Sequence, residues 1–317
     1  MMRSTVSQVP LWTLLFVFLF LLVPPLFSAG SSEQDGGNES DPALTVFVSI
    51  LPQRYFVEQI GGPSIQVHVM VPPGKSPATY EPSPKQVFNL GRAELFFTIG
   101  VPFEQAFIPL IKDEMKTLRI IDTSRGIEKR SIHADEALEN DEHGHSDEDS
   151  DEQMDPHIWL APPLVEVQAA HIRDGLIEVN PEKEALYLRN YQSFVKQLQK
   201  LDSDLRQILE PVKGSSILVY HPSFGYLAET YGLSQIAIEM GGKEPSARQL
   251  QEVITSAKKH NAKVIFVQPE FSKASAEKVA KAIDGAVVEV APLKPEYMQN
   301  MRSIAQSIRE GLAAHPQ

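Results

Sequence analysis

Short runs of β-branched and aromatic residues alternate along this chain with segments whose apolar positions recur every three or four residues. Leu44 to Ile50 is such a run, ended by Pro52, and a helix is expected through Tyr55 to Ile60, stopping at Gly61-Gly62. Ile65 to Val71 reads as a second strand, closed by Pro72-Pro73-Gly74. Glu94 to Ile99 and Leu118 to Ile121 are further strands, with a helical segment from Phe103 to Lys112 between them. Strand, helix, strand at this spacing predicts parallel βα units and an α/β fold.

From Pro181 to Leu209 the pattern changes. Tyr187, Tyr191, Phe194, Leu198, Leu201 and Leu205 follow helical spacing between charged and amide residues, with Pro181 near the start and Pro211 beyond the end. A helix of about 28 residues, roughly 40 Å long, exceeds the usual globular length and suits a stiff rod between two lobes. Its plainer reading is an ordinary core helix. The second half then repeats the first in outline: strands at Ser216 to Tyr220, Val264 to Gln268 and Ala286 to Val290, with helices at Phe224 to Tyr231, Ala274 to Ile283 and Glu296 to Gly311. This organisation gives an N-terminal lobe over 43–180, a connecting helix over 181–210 and a C-terminal lobe over 211–317.

Two stretches stand outside that pattern. Arg3 precedes an apolar run from Leu11 to Phe27, broken only by Thr13, and Ser28-Ala29-Gly30 follows. Residues 1–30 therefore read as a signal peptide, with an uncleaved membrane anchor as the rival, and 31–42 as a polar tether. The second stretch, His133 to Asp155, holds eleven Asp or Glu and no Lys or Arg. The formal net charge of the chain is −12, so acids and bases nearly balance elsewhere. A loop over 133–153 without an apolar pattern adds nothing to a core. It is either a solubilising insertion or a collector of cations, in which His133, His143 and His145 beside carboxylates suit zinc. The chain has no cysteine, which excludes disulfides, thiolate sites and a lipid-anchored cysteine, so any metal is held by nitrogen and oxygen. No basic, aromatic-interleaved patch points to nucleic acid.

Two histidines occupy punctuated turns. Tyr220-His221-Pro222 follows a strand, and open α/β sheets bind ligands beyond their C-terminal strand ends. Asp155-Pro156-His157 leads out of the acidic loop, where Asp155 either caps the turn or orients the imidazole through its other nitrogen. Glu270, in Gln268-Pro269-Glu270-Phe271, is a candidate oxygen ligand or an acid at a helix N-terminus. For His221 the alternative is a hydrogen bond inside its own turn. No HExxH, GxSxG or Walker A pattern is present, and no general base is identifiable, so no enzyme is expected.

Taken together, PGKSPATYEPSP, DPHIWLAP, the long helix, HPSFGYLAETYGL, VIFVQPEFS and APLKPEYMQNM resemble the metal-specific solute-binding proteins of ABC importers, in particular their zinc-binding branch. The resemblance covers Val46 to about Ile308. It implies two α/β lobes joined by a rigid helix, a metal in the cleft between them, and delivery to a membrane permease. Two of the family's ligand histidines fall on His157 and His221, whereas its first histidine position is Ala78 here and its late acidic position is Ala291. Zinc is expected over manganese because the ligation is nitrogen-rich, with affinity falling below about pH 6.5 as imidazoles protonate. A monomeric, freely soluble periplasmic receptor is the leading expectation. The alternatives are an extracytoplasmic zinc buffer acting through the loop, and an adhesion scaffold without tight metal binding.

Overall fold

The computed structural model describes residues 44–132, 154–239, 246–260 and 262–314. All belong to one compact unit, Asp41–Gln317. The expected signal segment and tether, and the loop histidines His133, His143 and His145, lie outside the described residues.

Two four-stranded sheets of identical, all-parallel topology organise the protein. The first contains β1 (Leu44–Val48), β2 (Ile65–Val69), β3 (Leu95–Thr98) and β4 (Arg119–Asp122) in the order β2-β1-β3-β4. The second contains β5 (Ser216–Val219), β6 (Ser234–Ala237), β7 (Val264–Val267) and β8 (Ala286–Glu289) in the order β6-β5-β7-β8. Central β3 and β7 are buried along their whole length, as strands covered on both faces must be. The helices are α1 (Leu51–Gly61), α2 (Pro84–Leu90), α3 (Pro102–Lys112), α4 (Pro162–Val179), α5 (Glu184–Leu209), α6 (Gly225–Tyr231), α7 (Ala247–Lys259), α8 (Lys273–Ala282) and α9 (Tyr297–Ala314). Among the described residues no helix is long and apolar enough to cross a membrane.

The long helix forms as its spacing predicts. A short turn at Pro181–Lys183 leads into α5, which buries Tyr187, Phe194, Leu198, Leu201, Leu205 and Leu209. Tyr191 stays half-buried beneath the Arg173 guanidinium, 4.4 Å from its ring centre. One end of α5 packs on α1 and α4 and the other on α9, so it belongs to the core and joins the lobes at once.

Several elements escaped the hydrophobic pattern. Pro52 lies in the first turn of α1, where its missing N–H costs nothing, and does not end a strand. Helix α4 has a diffuse pattern because the sheet, α1 and α5 all press on it. Its Gly175 sits so close to the sheet that a Cβ there would lie 2.4 Å from Ile121 and 2.9 Å from Phe97. Helices α2 and α7 and strand β6 are each short or mostly polar, and packing alone reveals them.

The segment Asp155–Leu160 threads between the lobes and is fastened from the C-terminal side. The Tyr226 hydroxyl donates to the Asp155 carbonyl at 3.1 Å. The Trp159 indole donates to the Pro292 carbonyl at 3.1 Å, and the Tyr297 hydroxyl to the Trp159 carbonyl at 2.8 Å. Just upstream, Ser131 and Met154 form an antiparallel bridge, and Asp155 N–H donates to the Arg130 carbonyl at 2.8 Å. The acidic loop therefore departs from and returns to one spot, next to His157.

Candidate metal centre

His221 stands where β5 ends, beside the point at which strand order reverses. Its backbone is fixed by one amide: Gln268 accepts from His221 N–H at 3.2 Å and donates to both the His221 carbonyl and the Ser223 hydroxyl at 2.8 Å. The ring stacks on Phe271 with centroids 4.6 Å apart and planes 19° from parallel. Its Nδ1 lies 2.5 Å from Glu239 Oε2. Glu239 directly follows the β6 ladder, where its own N–H donates to the Tyr220 carbonyl at 2.8 Å, and it is buried.

His157 reaches the same cleft from the other side. Asp155 Oδ1 accepts from His157 N–H at 2.9 Å and pairs with His157 Nδ1 at 2.7 Å. One carboxylate thereby shapes the turn and fixes the imidazole, combining the two roles expected as alternatives for Asp155. The proline between them fixes φ and favours the tight turn.

The two arrangements have a common chemical consequence. An ionised carboxylate only accepts hydrogen bonds, so in a neutral imidazole this contact selects the tautomer with the proton on Nδ1 and the lone pair on Nε2. Carboxylate–imidazole pairs of this kind orient metal-ligating histidines and raise their basicity. The rings meet edge to face with centroids 5.2 Å apart. Two imidazoles on one tetrahedral zinc at ~2.0–2.1 Å hold their ring centres about 5 Å apart, so this spacing is compatible with a shared ion. Burial lowers the pKa of His221, against the opposing pull of Glu239, and the neighbouring His157 lowers it further. The neutral, metal-binding form of His221 consequently persists to lower pH than in an exposed histidine.

A cavity of about 30 Å³, room for one ion or water, opens at His221 between Ala78, Trp159, Gln268, Glu270 and Phe271. Ala78 thus faces the centre with a methyl group. Glu270 lines this cavity, and burial, aided by Glu289, raises its carboxyl pKa. Ala291 and Glu270 line an adjoining cavity. Among the described residues no group of three or more His, Asp or Glu comes together as a metal cage. The structure brings His157 and His221 together and sets Glu270 at the cavity wall beside His221.

Sequence reasoning overlooked Glu239 and the positioning role of Gln268. Glu239 was invisible because β6 was not recognised, and without that strand nothing marks the residue as lying at a strand end. For Gln268 a signal existed, since a glutamine closing an otherwise apolar strand before a proline is out of place.

Comparison with known proteins identifies the family and bears out the two-lobed fold. Residues 46–311 match the family model described as ZnuA, zinc-uptake complex component A, periplasmic. The high-affinity zinc uptake system protein ZnuA of Bacillus subtilis is 30% identical over 291 residues, covering 88% of this chain and 87% of its own. The zinc-binding lipoprotein AdcA of Streptococcus pneumoniae is 29% identical over 258 residues, 81% of this chain but 50% of that longer protein. A solved crystal structure of ZnuA shares 36% identity and a TM-score of 0.76 over 85% of this chain and 99% of that one. With a match over nearly the whole described body, this chain belongs to the ZnuA family, the periplasmic component A of zinc-uptake complexes.

Proposed function

We propose that the protein is the receptor of a divalent-cation ABC importer and that zinc bridges His157 and His221 across the cleft. The observation that carries this reading is the pair of imidazoles, one on each side of the cleft, whose Nδ1 atoms are held by buried carboxylates. That leaves two oriented imidazoles, their side chains 12% exposed or less, as a desolvated place for a borderline metal. Glu270 is the candidate oxygen ligand. The nitrogen-rich set favours zinc over manganese, which prefers more oxygen. Cation capture needs no chemistry on a substrate, and we assign the protein no catalytic role. It works as a monomer in the periplasm, the acidic loop gathers cations outside the cleft, and a membrane permease receives the metal.

Calorimetric zinc titration of metal-stripped protein tests this. One site that survives deletion of 133–153 and weakens by at least ~100-fold when His157→Ala and His221→Ala are combined is the expected result. Binding that vanishes with the loop and ignores the double substitution would make the protein a zinc buffer.

A further inference from the structure

Beside the small cavity at His221 lies a second of about 190 Å³, and the two share Glu270 and Leu293 in their walls. At ~30 Å³ per water it has room for roughly six waters, far more than one ion requires. Ile50, Val71 and Pro72 wall it from the N-terminal lobe and Pro269 and Ala291 from the C-terminal lobe. One cation, Lys294, and one carboxylate, Glu270, complete an otherwise apolar lining. A hydrated ion gains nothing from such walls, whereas an organic body gains by leaving water. The metal centre next to it is short of donors. Tetrahedral zinc takes four, and the described residues offer two imidazoles, with Glu270 at the neighbouring cavity wall and no group of three that gathers as a cage. Ala78 and Ala291 present only methyl groups to these cavities.

From the juxtaposition of an under-supplied metal centre with an apolar, amino-acid-sized cavity, we infer that the cargo is a zinc chelate, carried with a small amino acid of the histidine type. This rests on the receptor reading above, in which His157 and His221 hold the metal. The chelator's imidazole nitrogen and its amine, which loses one proton to solvent as it coordinates, complete the four positions in place of water and the Glu270 carboxylate, and no other bond of the chelator changes. Its carbon skeleton lies against Ile50, Val71 and Ala291, and its carboxylate faces Lys294. Ala78 and Ala291 are then specificity residues, small because the second ligand enters from outside.

The test uses metal-stripped protein, zinc, and L-histidine or citrate as probes, with native mass spectrometry for stoichiometry and calorimetry for affinity. The expected result is a 1:1:1 complex of protein, zinc and histidine that survives desalting, with zinc held at least tenfold tighter than without histidine once competition in solution is subtracted. Citrate, which lacks the nitrogen donors, is not retained. Ala78→His, which restores a protein ligand, binds zinc alone at the tighter level and no longer retains histidine. Zinc bound equally tightly without a retained small molecule, yet lost in the His157→Ala, His221→Ala protein, overturns the chelate and leaves the receptor reading standing. The chelate is also overturned if tight binding of zinc alone disappears on replacing His133, His143 and His145 by alanine, because a loop histidine is then the third ligand. Zinc binding indifferent to the double substitution overturns both readings.

Discussion

The two lobes have the same strand order, yet they treat the same position in opposite ways. Beyond β1, Met70 and Val71 N–H groups donate to the Val48 and Ser49 carbonyls; beyond β5, Ile238 and Glu239 donate to those of Val219 and Tyr220. That register makes Ile50 the counterpart of His221 and Val71 the counterpart of Glu239. In the C-terminal lobe the strand-order reversal therefore supplies an imidazole and its orienting carboxylate, at the place where open sheets bind ligands. In the N-terminal lobe the counterparts are apolar, and the strand ends are sealed from within. Buried Gln53 accepts from Ser49 and Ile50 N–H at 3.0 and 3.3 Å and donates to the Thr98 carbonyl and Thr123 hydroxyl, both at 3.2 Å. Buried Glu104 accepts from Gly100 N–H at 2.7 Å and Ile99 N–H at 3.1 Å. This lobe offers its histidine from the connection after β4 instead. Topology makes a crevice available, and side chains decide whether it becomes a site or a plug.

The contrast can be broken most forcefully at the orienting carboxylates. Glu239→Gln and Asp155→Asn each keep the shape of the side chain but relax the tautomer of the attached imidazole. Each should weaken zinc binding by ~10–100-fold, read by calorimetry, with the melting temperature of the metal-free protein little changed. Equal losses would make the centre symmetric in function despite its unequal origins.

The plug is probed by pH. Burial pushes the Glu104 carboxyl up to about 7, against the opposing hydrogen bonds from Gly100 and Ile99, with Asp122 raising it further. An acid with a raised native pKa binds more protons folded than unfolded between 4.5 and 7, so its contribution is complete below pH 4.5 and is lost as pH rises through 7. Urea unfolding should show the wild type losing about 3 kcal/mol relative to Glu104→Gln between pH 4.5 and 8. A pH-independent difference would mean the carboxyl titrates normally.

The smallest effect is steric. A Cβ at Gly225, the first residue of α6, would lie 2.9 Å from Asp155 Oδ2 and 2.9 Å from Arg130 Nη1. Gly225→Ala should push Asp155 aside and weaken zinc binding several-fold through His157, while Gly232→Ala, which crowds only the Lys213 side chain at a left-handed position, should lower stability without touching zinc affinity. Matching zinc affinities for the two variants would show that Asp155 has room to move.

How far the sequence can be read differs between these elements for physical reasons. The strands β1, β3, β5 and β7 announce themselves because a strand buried on both faces is a continuous apolar run. Helix α5 does so because one face meets the core and the other meets solvent. Helix α4 is quiet because it is pressed on several sides, and β6 because Ser234 and Gln235 break its apolar run. The same holds within the centre. His157 with Asp155 is local, two residues apart, and legible as Asp-Pro-His. His221 with Glu239 joins two neighbouring strand ends 18 residues apart, and nothing along the chain marks the partner.

By itself the sequence determined the α/β class, the long joining helix, the absence of thiolate ligands and the two histidines, because each is written in local pattern or composition. The tertiary structure alone decided that these histidines lie edge to face with centroids 5.2 Å apart, that Glu239 orients one of them, and that Ala78 and Ala291 line cavities at the centre. Those facts depend on parallel strands and two lobes bringing distant residues together, and distances through space are not encoded in spacing along the chain.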